Sequence, residues 1–538
     1  MVNIPGPDFV LSPCAQKLRL EKLPTELVVE ILKLLEFRTL LLCRKTCQLL
    51  KSLIDSNASL QYIIELGVSF QTDGPPSSVS CASRLKTLRN HQHAWTRMDW
   101  SEMREFPSTD GGLWELAGNV FAQYEEQGGM LFTQLPSKLR GIAEHSWRLT
   151  NLNYNVGDFT IDPAQDLLVL IDEPPVGYPA GDFPLRIRLL SMSTGEPHPL
   201  AANSGVLEHK GYMCISDIEA AYFIQISSTY IGIHEMIEEE VVRVNRLIVQ
   251  NWKTGETMLT LESDWENLHL RSFAFLGDRY IMAAVLGHAT GAGVIQIYDF
   301  VTPRAQHTRN PGFHWTFHFP DQTPDATVWD MHISSNPPPS WEPPVDARGP
   351  FFCDLEQRLY VVTVFMDLTT SETLHAHSFD FFIPSVTILS NVRFLPLSHH
   401  VPSTCVLWKD WGPMGACALP SNRSPDNVWG CFVYGMKFVD LDHSTEGGGL
   451  AIFDFRPFAA RRGLQQETLS SSKNGETAGY CISSCLSIPD IFLENLQTHL
   501  PFQLVRRPIK VPPSAVMCSE DTMVLVDDDG QSYRILTF

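Results

Sequence analysis

A short strand with a characteristic turn recurs along most of this 538-residue chain. Arg188-Leu-Leu-Ser-Met-Ser-Thr-Gly-Glu196 and Arg246-Leu-Ile-Val-Gln-Asn-Trp-Lys-Thr-Gly-Glu256 share an apolar run, an outward polar residue and a Thr-Gly-Glu turn. Val294–Phe300, Leu450–Phe455 and Gln531–Phe538 read as further copies of that strand. Phe275–Met282 sets a Gly-Asp turn between apolar runs just before one copy, and Phe159–Ile171 is a second hairpin with a proline in its turn. Copies roughly 50 to 80 residues apart, with one longer gap, suit four-stranded blades with inserted loops. The expected all-β architecture is a degenerate β-propeller of roughly six or seven blades. A pair of large β-sandwiches competes with it, and the strand on which the sequence ends favours a closed ring. Trp329-Asp330 is the only Trp-Asp pair and reads as a coincidence.

Before about residue 110 the pattern is helical instead. Pro24 suits an opening helical turn, and Glu26 lies where the helix dipole favours a negative charge. Leu27, Ile31 and Leu34 recur at i, i+4 and i+7, with Val28 and Leu35 widening the stripe. A second helix is expected from about Thr39 to Ile54, with Leu40, Cys43, Cys47, Leu50 and Ile54 on one side and Arg44, Lys45, Gln48 and Lys51 on the other. Leu60–Leu66 completes the cluster, and 81–100 predicts another helix carrying Leu85, Leu88, His91 or Gln92, and Trp95 along one side. A unit this small exposes more apolar surface than it can bury in itself. Either a partner protein covers that surface, or the helices cap the chain's own larger domain.

The order Leu-Pro-x-Glu-Leu, Ile-Leu-x-x-Leu, Leu-x-x-Cys-Arg-x-x-Cys and Leu-x-x-Leu-Ile over residues 23–54 resembles the F-box. The chain is especially similar to the large F-box family of mushroom-forming fungi. The resemblance extends through Leu60–Leu66, Asp73-Gly-Pro-Pro-Ser-Ser, Arg84-Leu-Lys-x-Leu and Ala94-Trp-x-x-Met-Asp-Trp100 into Leu135–Ile142 and Asp158–Leu170. F-box domains bind the Skp adaptor of SCF-type cullin ubiquitin ligases. The resemblance therefore implies that Leu23, Pro24, Leu27, Ile31, Leu34, Leu35, Leu40, Cys43, Arg44 and Cys47 lie in or beside that interface. The expected organisation is a loose tail over 1–19, the F-box over 20–66, a linker and helix over 67–110, and a propeller-like substrate-binding domain over 111–538.

Composition narrows the chemistry. With 61 acidic and 40 basic residues the formal charge is −21, and no long Lys/Arg run occurs, which excludes nucleic acid as an expected partner. No apolar run is long enough for a membrane helix, and no secretory signal is visible, so an intracellular protein of cytoplasm or nucleus is expected. The twelve cysteines are scattered; Cys214, Cys353, Cys405, Cys431 and Cys518 sit in apolar context as reduced core residues do. Cys43/Cys47 and Cys481/Cys485 lack the spacing of a structural zinc site. Gly287–Gly293 reads as a hairpin loop, His314/His318, His375/His377 and His399/His400 lack a third ligand, and Asp527-Asp-Asp-Gly530 reads as a turn. No catalytic residue, cofactor or metal is expected. Asn336–Pro344 is too proline-rich for a central strand and reads as a stiff surface loop, and Ser470–Gly479 reads as a flexible loop.

The expected function is a substrate receptor: the F-box holds the Skp adaptor and through it a cullin, and the propeller holds an unknown protein target. A non-ligase F-box scaffold and a propeller hydrolase with a helical cap are the alternatives. Three or four polar residues converging on the central channel, with perturbed carboxylates or histidines, would favour the hydrolase, and a channel of ordinary apolar and hydroxyl side chains would argue against it.

Overall fold

The computed structural model describes residues 23–109, 111–126, 128–138, 140–173, 181–214, 220–238, 243–263, 269–287, 291–301, 315–339, 349–369, 374–394, 404–424, 431–444, 448–458, 477–527 and 532–538. The expected tail over 1–19 lies outside them.

Five helices come first: α1 (Thr25–Lys33), α2 (Phe37–Thr46), α3 (Gln48–Ser56), α4 (Ala58–Ser69) and α5 (Cys81–Thr96). The single helix expected from Thr39 to Ile54 is instead two, because Cys47 is extended (φ −154°, ψ 162°). The break lets α2 and α3 fold back on each other, so that Leu40 and Ile54 both reach Leu60, Ile64 and Val68 of α4. The Thr46 hydroxyl donates to the Cys43 carbonyl at 2.7 Å just before the break, a local bond that competes with the helix ladder. α4 starts cleanly, since the Asn57 side chain accepts from the amides of Ser59 and Leu60.

The rest is a seven-bladed propeller. The blades are antiparallel meanders over 114–149, 156–214, 221–262, 269–318, 326–420, 433–508 and 515–537, numbered 1 to 7 in that order. First strands of neighbouring blades meet around the centre. Blades stack face to face, so strands such as Leu167–Asp172 and Tyr280–Leu286 are buried on both sides and read as continuous apolar runs. Blade 7 has only three strands from the C-terminal end of the chain; its fourth is Glu102–Pro107, paired antiparallel with Ser532–Thr537. The ring is thus closed by a strand placed before 111, and the expected boundary moves back to residue 102. That strand alternates charge with Met103 and Phe106 at the outer edge, where one face meets water, so it carries little apolar signal.

All five sequence repeats fall on the third strand of a blade: Gly181–Ser191, Arg243–Asn251, Gly293–Asp299, Gly449–Asp454 and Ser532–Thr537. Both Thr-Gly-Glu turns close alike. Ser191 N donates to Glu196 O and Gly195 N to Ser191 O, each at 2.8 Å, and Asn251, Glu256 and Gly255 repeat the pattern at 2.8 Å. The long gap between copies holds blade 5, whose first two strands are separated by residues 335–358 and whose excursion adds helices Ser385–Phe394 and Trp408–Gly415. Strand Thr477–Cys481 joins the edge of blade 6, so the end of the expected loop at Ser470–Gly479 is paired backbone.

The helices are fastened to the ring. Strand Gln71–Asp73 pairs with Phe351–Cys353 of the blade 5 insert. The Tyr62 hydroxyl lies 2.9 Å from both the Asp73 carboxylate and the Pro350 carbonyl. The expected α5 stripe of Leu85, Leu88, His91 and Trp95 is buried. Trp95 stacks on Phe538 at 4.1 Å, and His91 Nε2 lies 3.0 Å from Asp521. Burial alone would raise the Asp521 carboxyl, but Arg140 and His91 outweigh it and hold it below the usual range. Arg140 also pairs with Glu520 at 2.7 Å.

Candidate interaction surfaces

α1 is apolar on more than one side, and its environment divides those sides. The chain enters at Pro24, whose carbonyl accepts from the amides of Leu27 and Val28. Val28, Val29 and Leu32 are sealed into the helical core. Leu27, Ile31 and Leu34, by contrast, are 52%, 44% and 86% exposed. Two further leucines, Leu42 on α2 and Leu49 on α3, are 63% and 48% exposed. Exposed apolar groups gathered on one small unit are what interaction surfaces commonly present.

The expected interface residues divide into four groups. Pro24, Leu27, Ile31, Leu34 and Cys47 face outward, and Leu23, Leu35 and Cys43 are half-buried against the core. Leu40 is fully buried, so it can only support the surface from within. Its i, i+3 neighbours point to α4, which the break at Cys47 makes possible. Arg44 is engaged with Asp55 of α3 through two hydrogen bonds of 2.6 and 3.1 Å. That hydrogen-bonded pair raises the arginine and lowers the carboxylate, and it ties α2 to α3. Leu42 and Leu49 were missed, because they lie outside the stripe that the second-helix reading took as continuous.

At the centre of the ring, the first strands of blades 1, 2, 3, 5 and 6 enclose a cavity of about 120 Å³. Its walls include Ile161, Phe223, Ile333 and Phe432, with Glu115, Gln225, His332 and Cys431 among the polar groups. The proline-rich segment, expected as a surface loop, passes beneath this cavity over its described part. Asn336 Nδ2 donates to Leu116 O of blade 1 at 3.5 Å, Ser227 of blade 3 donates to Pro339 O at 2.7 Å, and Gly435 N of blade 6 donates to Asn336 O at 2.8 Å. Arg358 adds a bond of 2.6 Å to Pro337 O. Four blades therefore hold this floor, which explains why a proline-rich stretch is ordered inside.

The cavity is electrostatically unusual. Burial, then the neighbouring charge of Asp158, pushes Glu115 up to about 8. Burial likewise raises Asp158 to about 7, with Glu173 adding to it. His332 is pushed down to about 4 by burial. The Cys431 thiol, which donates to Leu116 O at 3.2 Å, is held well above its usual range by burial and then by Glu115, the opposite of an activated nucleophile.

Among the described residues no group of three His, Cys, Asp or Glu side chains could hold a metal ion. The Cys43/Cys47 and Cys481/Cys485 thiols are free, Cys353 and Cys518 are buried as expected, and Cys405 is exposed, contrary to expectation, on a short strand added to the edge of blade 4. The strands on either side of the expected Gly287–Gly293 loop pair antiparallel, ending at Leu286↔Gly293, and residues 288–290 lie outside the described residues. Trp329-Asp330 lies on a first strand, where Asp330 pairs with Arg271 at 2.8 Å. His314, His399 and His400 lie outside the described residues; His318, His375 and His377 lie on strands. No helix among the described residues is long and apolar enough to cross a membrane.

Three comparisons set the chain beside known proteins. The model of the F-box domain matches residues 20–62, the segment that carries the exposed stripe of α1. A search of curated proteins found no match. Among solved structures, the uncharacterized protein lmo1340 from Listeria monocytogenes EGD-e is similar at 8% identity and a TM-score of 0.25, over 60% of this chain and 93% of that one. A likeness of that score bears on neither fold nor function.

Proposed function

We propose that this chain, an F-box domain followed by a seven-bladed propeller, is the substrate-recognition subunit of an SCF-type cullin ubiquitin ligase. The F-box would bind the Skp adaptor, and through it a cullin, while the propeller binds a target protein. The observation that carries this reading is the stripe Leu27, Ile31 and Leu34, left exposed on a segment that matches the F-box model. The chain's own ring covers α4 and α5 and leaves that stripe open, which supports a partner surface over a cap alone. In this role the chain needs no cofactor. It contributes positioning, raising the effective concentration of target lysines near the loaded ubiquitin carrier.

Co-purification of the full chain with the Skp adaptor tests the reading, and stoichiometric capture is the expected result. Leu27→Lys with Ile31→Lys should weaken capture by about 30-fold or more, as loss of a buried hot spot does. Because both side chains face water in the free chain, stability should change by no more than about 0.5 kcal/mol each. Leu23→Ala with Pro24→Ala is a poorer test, since Leu23 also packs on the helical core. Capture that survives the double lysine variant would move the interface elsewhere, and adaptor capture without cullin recruitment would mark a non-ligase scaffold.

A further inference from the structure

Buried carboxylates in this protein are, with few exceptions, matched by arginine. Asp521 and Glu520 have Arg140, Glu235 has Arg246 at 2.6 Å, Asp299 has Arg279 at 2.7 Å, and Asp454 has Arg456. Asp380 faces Arg423 at 3.8 Å. A protein that buries acids normally supplies such partners, because an uncompensated charge away from water is costly.

The half-buried acids at the central cavity, Glu115, Asp158 and Glu173, break this pattern. Glu115 lines the cavity, and neither a lysine nor an arginine is among its described lining residues. Asp158 lies close enough to raise Glu115, and Glu173 close enough to raise Asp158; no described cation pairs with Asp158 or Glu173. Asp162, also in the lining, is already satisfied by the Ala164 amide at 3.0 Å and the Gln165 side chain at 2.7 Å. A second polar group is left over as well: the Ser335 hydroxyl oxygen lines the same cavity, is cut off from solvent and has no hydrogen-bond partner. The remaining walls, with Ile161, Phe223, Ile333 and Phe432, are apolar and partly aromatic.

We infer that this cavity is a binding site for an aliphatic ammonium group, such as the side chain of a lysine on a bound target. The aliphatic stem suits the apolar walls, and the ammonium carries three donors for acceptors such as Glu115 and Ser335 Oγ. The ring of Phe223 would add a cation–π attraction, whereas that of Phe432 already lies under the Arg423 guanidinium at 3.3 Å. An anion would meet the Glu115 and Asp162 carboxylates with neither lysine nor arginine in the described lining to offset them, and a metal ion would not find three ligands among the described residues. The inference deepens the receptor reading and rests on it, since it names a chemical group that the propeller selects.

The titratable groups facing Glu115 are Asp158 and Cys431, with Glu173, Tyr222, Asp162 and His332 close by. In the free protein Glu115 is raised to about 8, so near pH 7 it is mostly protonated. A bound ammonium draws it back toward the ionised form. Binding should therefore release protons, and affinity should rise with pH up to about 8. The experiment is calorimetric titration of the full chain with Nα-acetyl-lysine amide, set against its Nε-acetylated form and Nα-acetyl-norleucine amide, in buffers of different ionisation enthalpy. The lysine probe should bind at least about tenfold more tightly than either neutral probe, with net proton release. Glu115→Gln should lose that preference and the proton release, while a thermal melt shows the fold intact; Ser335→Ala, a smaller change, should weaken lysine binding alone. Equal binding of the three probes, no binding of any, or a preference untouched by Glu115→Gln would overturn the assignment. Adaptor capture by the same preparation reads the receptor role separately, so a chain that captures the adaptor but ignores lysine sinks this inference alone.

Discussion

Leu32 and Leu34 stand two residues apart in the sequence and belong to different worlds. Leu32 is enclosed by the helical core, whereas Leu34 ends α1 in water. Leu32→Ala should therefore cost about 2–5 kcal/mol, the usual range for a cavity left in a core. It should lower the first unfolding step in a denaturant titration, with adaptor capture lost only as the helices unfold. The sequence showed that α1 is apolar but not which side is inside. Leu27, Ile31 and Leu34 form one good helical stripe, and Val28, Val29 and Leu32 form another beside it. Six apolar residues on the eight positions from Leu27 to Leu34 leave the choice to tertiary packing, which periodicity does not contain. The same limit hid the cavity. Glu115 and Ser335 sit in stretches with no motif, and only the ring brings them to one space.

Where an element repeats, the sequence carried the fold well, because a local turn has a local cause. The Thr-Gly-Glu turns need a residue of positive φ, and Gly195 (φ 75°) and Gly255 (φ 77°) supply it without a side-chain penalty. A Cβ on Gly255 would also come within 3.3 Å of the Ala202 methyl. Gly255→Ala should thus destabilise blade 3 by about 1–2 kcal/mol, read as a lower urea midpoint. Gly195→Ala meets its nearest atoms at 3.5 Å and should lose only the φ term, about 1 kcal/mol. Reversal of that order would show that the turns are not equivalent. Elements whose cause is distant were harder to see. The break at Cys47 depends on α4 drawing in Leu40 and Ile54 together. The insert at 335–339 lies beneath the channel only because blades 1, 3 and 6 offer it hydrogen bonds.

At the scale of the whole molecule, the helices and the ring are not separable at the boundary the sequence suggested. Glu102–Pro107 completes blade 7 in a register running from Glu102↔Thr537 to Pro107↔Ser532. Just before it, α5 sets Trp95 on Phe538 and His91 on Asp521, so the last blade is held from two directions. A chain shortened to begin at 111 would leave the strand Ser532–Thr537 as a bare edge and would uncover the apolar seat of α5. Exposed edges of that kind recruit other strands. Such a chain should elute as aggregate or dimer in size-exclusion chromatography and lose a cooperative melt, whereas one beginning at 80, which keeps α5 and the closing strand, should remain monomeric and melt as a ring. The fragment 1–100 faces the reciprocal problem. It would carry Trp95, His91 and strand Gln71–Asp73 without Phe538, Asp521 or Phe351–Cys353 to receive them. Adaptor capture by that fragment should therefore be weaker per mole of chain than capture by the full chain. If instead the chain beginning at 111 proves monomeric and cooperative, closure by the N-terminal strand is dispensable and the ring is sealed by its seven blades alone.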